Sequence, residues 1–355
     1  MYNFYCFFSY FAVKMDFPAN NLLDWYDTQK RDLPWRGEKN PYYIWLSEVI
    51  LQQTRVEQGW DYYVNFVQAF PTVRDLATAP QDKVLRLWQG LGYYSRARNL
   101  QSAAQYIEAH CGGIFPNRYT DLLKLKGVGN YTAAAVASIA FGEAVAAVDG
   151  NVYRVLSRFF RVSTAIDSTE GKKQFQHLAD KVLDKNRAGD FNQAMMELGA
   201  TVCLPKKPLC TACPLMSACQ GYLHKDFLNF PNKTPKKAVK NRYFHVFVLQ
   251  ADDKIAVTLR QNKDIWHGLY TYPLQELDLE NFNAPKLNTL ETHGFVLQKT
   301  ETPKPHLLTH QKLHFVFYFF AGEKIADIFD NMIWKEQKNL KNLPFPRPFL
   351  PFLGE

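Results

Sequence analysis

A chain of 355 residues is too long for one ordinary core and points to a multi-domain protein. Hydrophobic residues make up 47% of it, which excludes a disordered chain, and no apolar run reaches the length of a membrane span. The net charge of +8 and a pI near 9.0 suit a polyanionic partner without requiring one.

Residues 1–14 are aromatic-rich but lack the basic start and small-residue cleavage site of a secretory signal. Met15 is an alternative start, which would make residues 1–14 an N-terminal extension. Leu22, Leu23, Trp25 and Tyr26 fall at helical spacing in residues 20–30, and Pro34 breaks the pattern. Asn40-Pro41 is a helix start, an N-cap followed by proline at the first helical position, and the helix is expected to run through Thr54. Glu48 lies in it among Trp45, Leu46, Val49, Ile50 and Leu51. A carboxylate in such company is paired, turned to solvent or functional. If buried, it loses hydration, its pKa rises, and it becomes a proton donor.

Helices are expected next at 58–69, 73–78, 81–89 and 95–110, with Gly90–Tyr94 a turn carrying an aromatic pair at its tip. Helices at 118–126 and 131–142 flank Gly127-Val128-Gly129. A Gly-x-Gly turn leading into a helix presents backbone N–H groups and a positive dipole end to an anion such as a phosphate. Most such turns only reverse the chain, but here Lys124 and Lys126 precede the turn and Asn130 is the expected N-cap. Asp149 stands at the entry to a helix over 150–161, and helices over 170–185 and 190–200 follow. Almost no alternating pattern occurs before residue 240, so this part is expected to be all-α.

Four of the six cysteines crowd together as Cys203-x6-Cys210-x2-Cys213-x5-Cys219, whereas Cys6 and Cys111 stand alone and read as plain thiols. Four close thiolates suit tetrahedral zinc or a 4Fe–4S cluster. The gaps of six and five favour iron–sulfur, because zinc knuckles pair their cysteines more closely. Residues 225–242 hold Pro231, Pro235 and six basic residues, Arg242 included, and read as an exposed basic linker. Strand-like runs follow at 243–250, 254–260, 294–298 and 314–320, with a helix expected near 275–292 or 334–340, so the second half is expected to be α+β.

Taken together, these motifs in this order resemble the helix-hairpin-helix DNA glycosylases of the endonuclease III superfamily. They are the Leu-Pro-Trp-Arg segment ending at Arg36, the Ser-Glu-x3-Gln-Gln-Thr helix, Gly-Leu-Gly-Tyr-Tyr, Lys-Gly-Val-Gly-x-Tyr-Thr, Val-Asp-Gly-Asn-Val and the cysteine loop. Within the superfamily the chain is most similar to the branch that removes adenine mispaired with 8-oxoguanine, closely over residues 20–225 and more loosely beyond. The resemblance implies a helix-hairpin-helix glycosylase domain over 15–225, a basic linker over 226–241 and a Nudix-like domain over 242–355 that reads 8-oxoguanine. It implies that Glu48 protonates adenine, that Asp149 stabilises the cationic sugar, and that Asn151 and Tyr131 support that step. It places Arg36 near Glu48, and Gln53 and Tyr93 as wedges in the base stack. It gives the amides of Gly127, Val128 and Gly129 to a DNA phosphate, and Cys203, Cys210, Cys213 and Cys219 to a 4Fe–4S cluster.

Relatives that also cut the strand carry lysine where this chain has Tyr131, so the resemblance implies a monofunctional enzyme without a Schiff base. In the C-terminal half, Trp266–Tyr270 is similar to the family's Trp-x-Gly-Leu-Trp turn. Leu308-Thr309-His310 is similar to a Phe-Ser-His segment that contacts the oxidised base; threonine keeps the hydroxyl and leucine loses the ring. No metal-holding Nudix helix is found between 260 and 300, so hydrolase activity is not expected. The implied partner is double-stranded DNA with A:8-oxoguanine or A:G mispairs, bound by a cytoplasmic monomer. Two rival readings are another superfamily glycosylase, acting on pyrimidine lesions or mismatched thymine, and a non-catalytic iron–sulfur DNA-binding protein. Tyr131 argues against a lyase, and the two carboxylates argue against the binder.

Overall fold

The computed structural model describes residues 17–235, 238–283, 290, 292–322, 329 and 331–353. The reading of residues 1–14 as an extension, with Met15 and Cys6, lies outside the described residues. Contacts among the described residues gather into two compact units, one drawn from residues 17–52 and Ile114–Pro235, the other from Gln53–Gly113 and from residue 238 onward. In chain order the helices are α1 (Ala19–Gln29), α2 (Pro41–Ile50), α3 (Val56–Ala69), α4 (Val73–Thr78), α5 (Gln81–Leu87), α6 (Ser95–Cys111), α7 (Tyr119–Leu122), α8 (Asn130–Phe141), α9 (Gly150–Phe160), α10 (Thr169–Val182), α11 (Ala188–Thr201) and α12 (Gln220–Leu223). Among the described residues no strand precedes Lys240, in line with an all-α first part.

In the first unit α11 packs on α1, α8 and α9, and α2 packs on α8. Val152, Val155, Leu156 and Phe159 recur at helical spacing on α9 and are buried with Phe175, Phe191 and Leu198. Burying each such side chain contributes ~1.5–3 kcal/mol. That stripe fixes the rotation of α9 about its axis, and so which way the residues of its first turn face. The start of α2 is as expected: Pro41 fills the first position and Asn40 accepts the Tyr42 N–H at 3.0 Å. Three local expectations are corrected. Instead of continuing to Thr54, α2 stops at Ile50, and Gln53 turns into the left-handed region at φ +56°. The helix expected over 118–126 is a single turn, α7. Gly129, in extended backbone, is the N-cap of α8, so Asn130 is its first helical residue and caps nothing.

The stretch read as an exposed linker is partly built in. Phe230 is buried, Asn232 Nδ2 donates to Ser163 O at 2.8 Å, and Thr234 Oγ1 donates to Asp167 Oδ2 at 2.8 Å. Arg242, counted with that linker, is buried in a strand and held by Asp264 and Glu276, each at 2.6 Å. Lost hydration makes such a cation tolerable only when it is paired, and here two carboxylates pair it.

In the second unit α6 packs on α4 and α5. The unit also holds a mixed sheet built from β1 (Lys240–Ala251), β2 (Lys254–Leu259), β3 (Tyr270–Thr271), β4 (Leu274–Leu277), β5 (Phe295–Glu301), β6 (His306–Leu307), β7 (Gln311–Gly322) and β8 (Met332–Glu336), with α13 (Leu279–Asn283) after β4. The order is β3-β2-β1-β7-β5, with β4 also on β1, β6 on β7 and β8 on β2. Strands β1 and β7 run parallel, from Lys240 opposite Gln311 to Ala251 opposite Gly322, and every other pairing is antiparallel. Both faces of the central pair are covered, which explains why β1 reads as a continuous apolar run instead of an alternating one. Phe247, Leu249 and Phe320 pack with Phe295 on one face. Phe244 and Phe315 stack on the other, with Trp266 and Phe349 against them. The α+β expectation holds. Of the two places offered for a helix, the first holds α13, while at the second the chain forms β8 up to Glu336 and then a short 3-10 turn at Gln337–Asn342.

Candidate active site

Glu48 on α2 and Tyr131 on α8 come together although 83 residues separate them, and the Tyr131 hydroxyl donates to Glu48 Oε2. The same hydroxyl lies 3.1 Å from Met196 Sδ. Both residues keep part of their surface accessible, yet protein surrounds them closely. Burial pushes the Glu48 carboxyl up to about 7, against the Tyr131 hydrogen bond; the charge of Asp149 raises it further and that of Arg36 lowers it. Burial also drives the Tyr131 phenol well above its ordinary value, with Glu48 and Asp149 adding to the effect. Tyr131 is therefore a neutral donor at physiological pH. Of the three readings open for Glu48, solvent exposure is excluded.

Asp149 is the N-cap of α9. Its Oδ1 accepts the N–H groups of Asn151 and Val152 at 2.9 and 2.8 Å, and its Oδ2 accepts Asn151 Nδ2 at 2.8 Å. Burial raises its pKa, while these three hydrogen bonds and the charge of Arg154 oppose that rise. The two carboxyls thus sit in unlike settings. One is a desolvated acid, and the other is a carboxylate cradled by N–H donors at a helix start, where negative charge is favoured. A proton donor beside an electrostatic stabiliser is the pairing that cleavage of a glycosidic bond requires.

The orientation of Asn151 is set from its oxygen side. Arg154 Nη2 donates to Asn151 Oδ1 at 2.8 Å and to Gly199 O at 2.6 Å, and Arg154 Nε donates to Cys203 O at 2.7 Å. Arg154 stands three residues after Asn151, so helix periodicity could have flagged it. Gly199 had no such signal. A Cβ there would come within 2.4 Å of Asn151 Cβ and 3.0 Å of its Cα. Gly199→Ala is therefore expected to destabilise the protein by ~1–3 kcal/mol, the usual range for overpacking, despite the better helix propensity of alanine. A melting temperature equal to or above that of the parent chain would refute this close fit.

Arg36 is tied to α1 and α11. Its Nη1 donates to Gln193 Oε1 at 2.7 Å and to the Tyr26 hydroxyl at 3.0 Å, and its Nη2 meets Glu197 Oε2 at 2.5 Å. In the hairpin, Gly127 sits at φ +81°, and Gly127, Gly129 and Lys126 are exposed. Val128 differs: its side chain is buried and its N–H donates to Leu125 O at 3.1 Å, closing the turn. The exposed members of the turn are Gly127 and Gly129, next to the first turn of α8. Lys124 is tied to Asp121 at 2.8 Å.

The four clustered cysteines line one cavity together with Arg158, Val202, Pro208, Met216, Tyr222 and Phe227. Arg158 Nη1 lies 3.4 Å from Cys203 Sγ and is held by Leu204 O at 2.8 Å. Burial pushes the Cys213 thiol up to about 12, and the Cys210 and Cys219 thiols also rise. Thiolates there call for a cationic partner, and four soft sulfur donors round one cavity suit a thiophilic metal group. Among the described residues, no three His, Cys, Asp or Glu side chains close round a single ion.

The remaining candidates belong to the second unit. Gln53 and Tyr93 are exposed, and both hold left-handed backbone, at φ +56° and +45°. Non-glycine residues adopt that conformation only when their surroundings impose it, and such strain collects at functional positions. Thr309 and His310 are exposed at the tip of the turn joining β6 to β7, which Leu308 N closes by donating to Gln311 O at 2.8 Å. The Tyr93 and Thr309 hydroxyls hydrogen-bond to each other. The Tyr93 ring also lies 5.8 Å from the Arg96 guanidinium, which covers Trp88.

A helical hairpin with a polarised carboxyl pair defines a class. Residues 46–183 match the HhH-GPD superfamily of base excision DNA repair proteins, and residues 245–355 match the NUDIX domain. The chain belongs to the adenine DNA glycosylase family. It is 33% identical to the adenine DNA glycosylase of Buchnera aphidicola subsp. Baizongia pistaciae, over 92% of this chain and 93% of that one. It is 48% identical to the adenine DNA glycosylase of Mus musculus over 212 residues, 57% of this chain, and spans 41% of the mouse protein. A solved thermostable thymine-DNA glycosylase superposes with a TM-score of 0.54 at 30% identity, covering 58% of this chain and 95% of that one. Among the described residues no helix is long and apolar enough to cross a membrane.

Proposed function

We propose that this chain is a monofunctional DNA glycosylase that hydrolyses the N-glycosidic bond of adenine paired with 8-oxoguanine or guanine in duplex DNA. The observation that carries this reading is the unlike pair, Glu48 pushed up to about 7 and Asp149 capping α9. Adenine leaves readily only when protonated, and Glu48 donates that proton. The sugar left behind is cationic, and Asp149 faces it with a charge held in place by Asn151 and the α9 amides; water then adds to the cationic sugar carbon and gives up its proton to Asp149. Tyr131 occupies the place of the lysine that strand-cutting relatives use, and its hydroxyl is committed to Glu48, so no Schiff base forms there. The base is reached by flipping it out of the stack, with Gln53 and Tyr93 as wedges. The Gly127 and Gly129 amides hold a phosphate. Thr309 and His310 read the opposite base. Cys203, Cys210, Cys213 and Cys219 hold a 4Fe–4S cluster, which when bound cross-links the loop carrying Lys206 and Lys207.

Single-turnover adenine release from duplexes with A opposite 8-oxoguanine, G or T, read by alkaline cleavage, tests the proposal. Release is expected to be fastest opposite 8-oxoguanine, slower opposite G and absent opposite T. No release from any duplex, by protein that still binds DNA, would overturn it. Thymine release from a G:T duplex would instead favour the chemistry of the structural neighbour.

A further inference from the structure

Glu197 on α11 is 1% exposed, yet nothing in the reaction described above uses it. It accepts the Arg31 backbone N–H at 3.2 Å, Arg31 Nε at 2.6 Å and Nη2 at 3.1 Å, and Arg36 Nη2 at 2.5 Å. Arg36 is itself nearly enclosed, with its guanidinium 5.4 Å from the Tyr26 ring centroid and its Nε buried without a partner among the described residues. A buried carboxylate is stable only when paired, and this one is paired twice. Burial alone would raise its pKa, but the Arg31 hydrogen bond and the charges of Arg36 and Arg31 together hold it below the ordinary carboxylate value. It is therefore ionised. Two cations on one anion leave a surplus positive charge, and the Arg36 side of it reaches Glu48 and Tyr131.

We propose that Glu197 is a positioning residue for the reaction: paired with Arg31 on one side, it fixes the Arg36 guanidinium between Tyr26, Gln193 and itself and offsets part of the charge that Arg36 presents to Glu48. The inference rests on the glycosylase reading of Glu48. The titratable and charged groups facing Glu48 are Tyr131, Asp149 and Arg36; those facing Glu197 are Arg31 and Arg36. On the far side of Arg36, Tyr26 feels Asp190 and Glu197 as well. Arg36 stabilises the charged form of Glu48, so removing the anion that offsets Arg36 lowers the pH at which Glu48 loses its proton. Removing Arg36 raises it. A donor must be protonated to act, so the alkaline limb of the pH–rate profile follows these shifts.

The test is single-turnover adenine release from the A:8-oxoguanine duplex across the alkaline limb. A carbon-13 titration of the Glu48 carboxyl reads the same shift without turnover. Glu197→Gln is expected to move the limb and the Glu48 midpoint down by about one pH unit, roughly a tenfold loss of rate on the alkaline side. Arg36→Gln is expected to move the midpoint up, and Glu197→Asp, which keeps the charge, to restore most of it. Where Glu197→Gln fails to fold, Arg31→Gln takes its place. That change leaves Glu197 wholly to Arg36 and is expected to move the limb up. A uniform loss of rate at every pH, with the limb and midpoint unmoved, would make Glu197 structural only and overturn the inference. Absence of adenine release by the parent chain would overturn the glycosylase reading instead, and the carboxyl titration would still decide whether Glu197 acts on Glu48.

Discussion

Glu48→Gln is expected to abolish adenine release while making the protein more heat-stable above pH 7. The loss of the donor corresponds to a fall of about a hundred- to ten-thousand-fold in the single-turnover rate. The gain in stability follows from linkage. Glu48 titrates near 4.5 in an unfolded chain and is pushed up to about 7 by burial in the folded one. Below the unfolded value both states carry the proton, and the residue makes no pH-dependent difference. As pH rises from there to about 7, the unfolded state ionises first and folding loses stability. Above that value the folded carboxyl ionises too and the loss levels off, at no more than ~3 kcal/mol for a group that keeps some contact with water. Glutamine has no charge to desolvate and still accepts the Tyr131 hydrogen bond. The difference in melting temperature between Glu48→Gln and the parent chain should therefore be small near pH 4.5 and reach its full size above pH 7. A gain that is equal at both ends would show that desolvation of the carboxylate is not its source. Retention of activity would remove Glu48 from the proposed reaction.

Asp149 holds two roles that substitution can separate. Asp149→Asn keeps an oxygen for the Asn151 and Val152 N–H groups, so the cap of α9 survives. It places an amide opposite Asn151 Nδ2, however, where Asp149 Oδ2 now accepts at 2.8 Å, and Asn151 cannot reverse because Arg154 holds its oxygen. Two facing donors and the missing charge are expected to reduce adenine release by about a thousandfold, with a stability loss of ~1 kcal/mol. Asp149→Ala loses the cap as well, a further ~1 kcal/mol. Rates from single-turnover release and stabilities from thermal melts check both. If Asp149→Ala melts where Asp149→Asn does, the cap is not stabilising. If Asp149→Asn keeps more than about a tenth of the parent rate, the charge is not what stabilises the sugar, and if the parent releases no adenine, a non-catalytic DNA binder becomes the better reading.

Much of the fold was legible because helix signals are local. Asn40-Pro41, the apolar stripe of α9 and Asp149 at its start depend on residues within about four positions, which is the reach of a helix turn. The same locality explains the misses. The end of α2 is set by the left-handed turn at Gln53, which no sequence signal marked. The strand at 332–336 is formed by pairing with β2, so its state depends on residues near 256, not on its own propensity.

The site shows the same division. From the sequence alone came the candidate residues and their order: Glu48 in an apolar helix, a Gly-x-Gly hairpin, a carboxylate at a helix entry, four crowded cysteines, and a C-terminal half of another class. Only the tertiary structure decided their surroundings. It placed Tyr131 on Glu48, buried Val128 and left Gly127 and Gly129 exposed, and set Gly199 against Asn151. It joined the Tyr93 and Thr309 hydroxyls, and it surrounded Arg36 with Tyr26, Gln193 and Glu197. The physical reason is that residue type and spacing specify what a group can do, whereas its protonation depends on desolvation and on charges a few ångströms away. Those neighbours come from helices that are distant in the chain and adjacent only after folding.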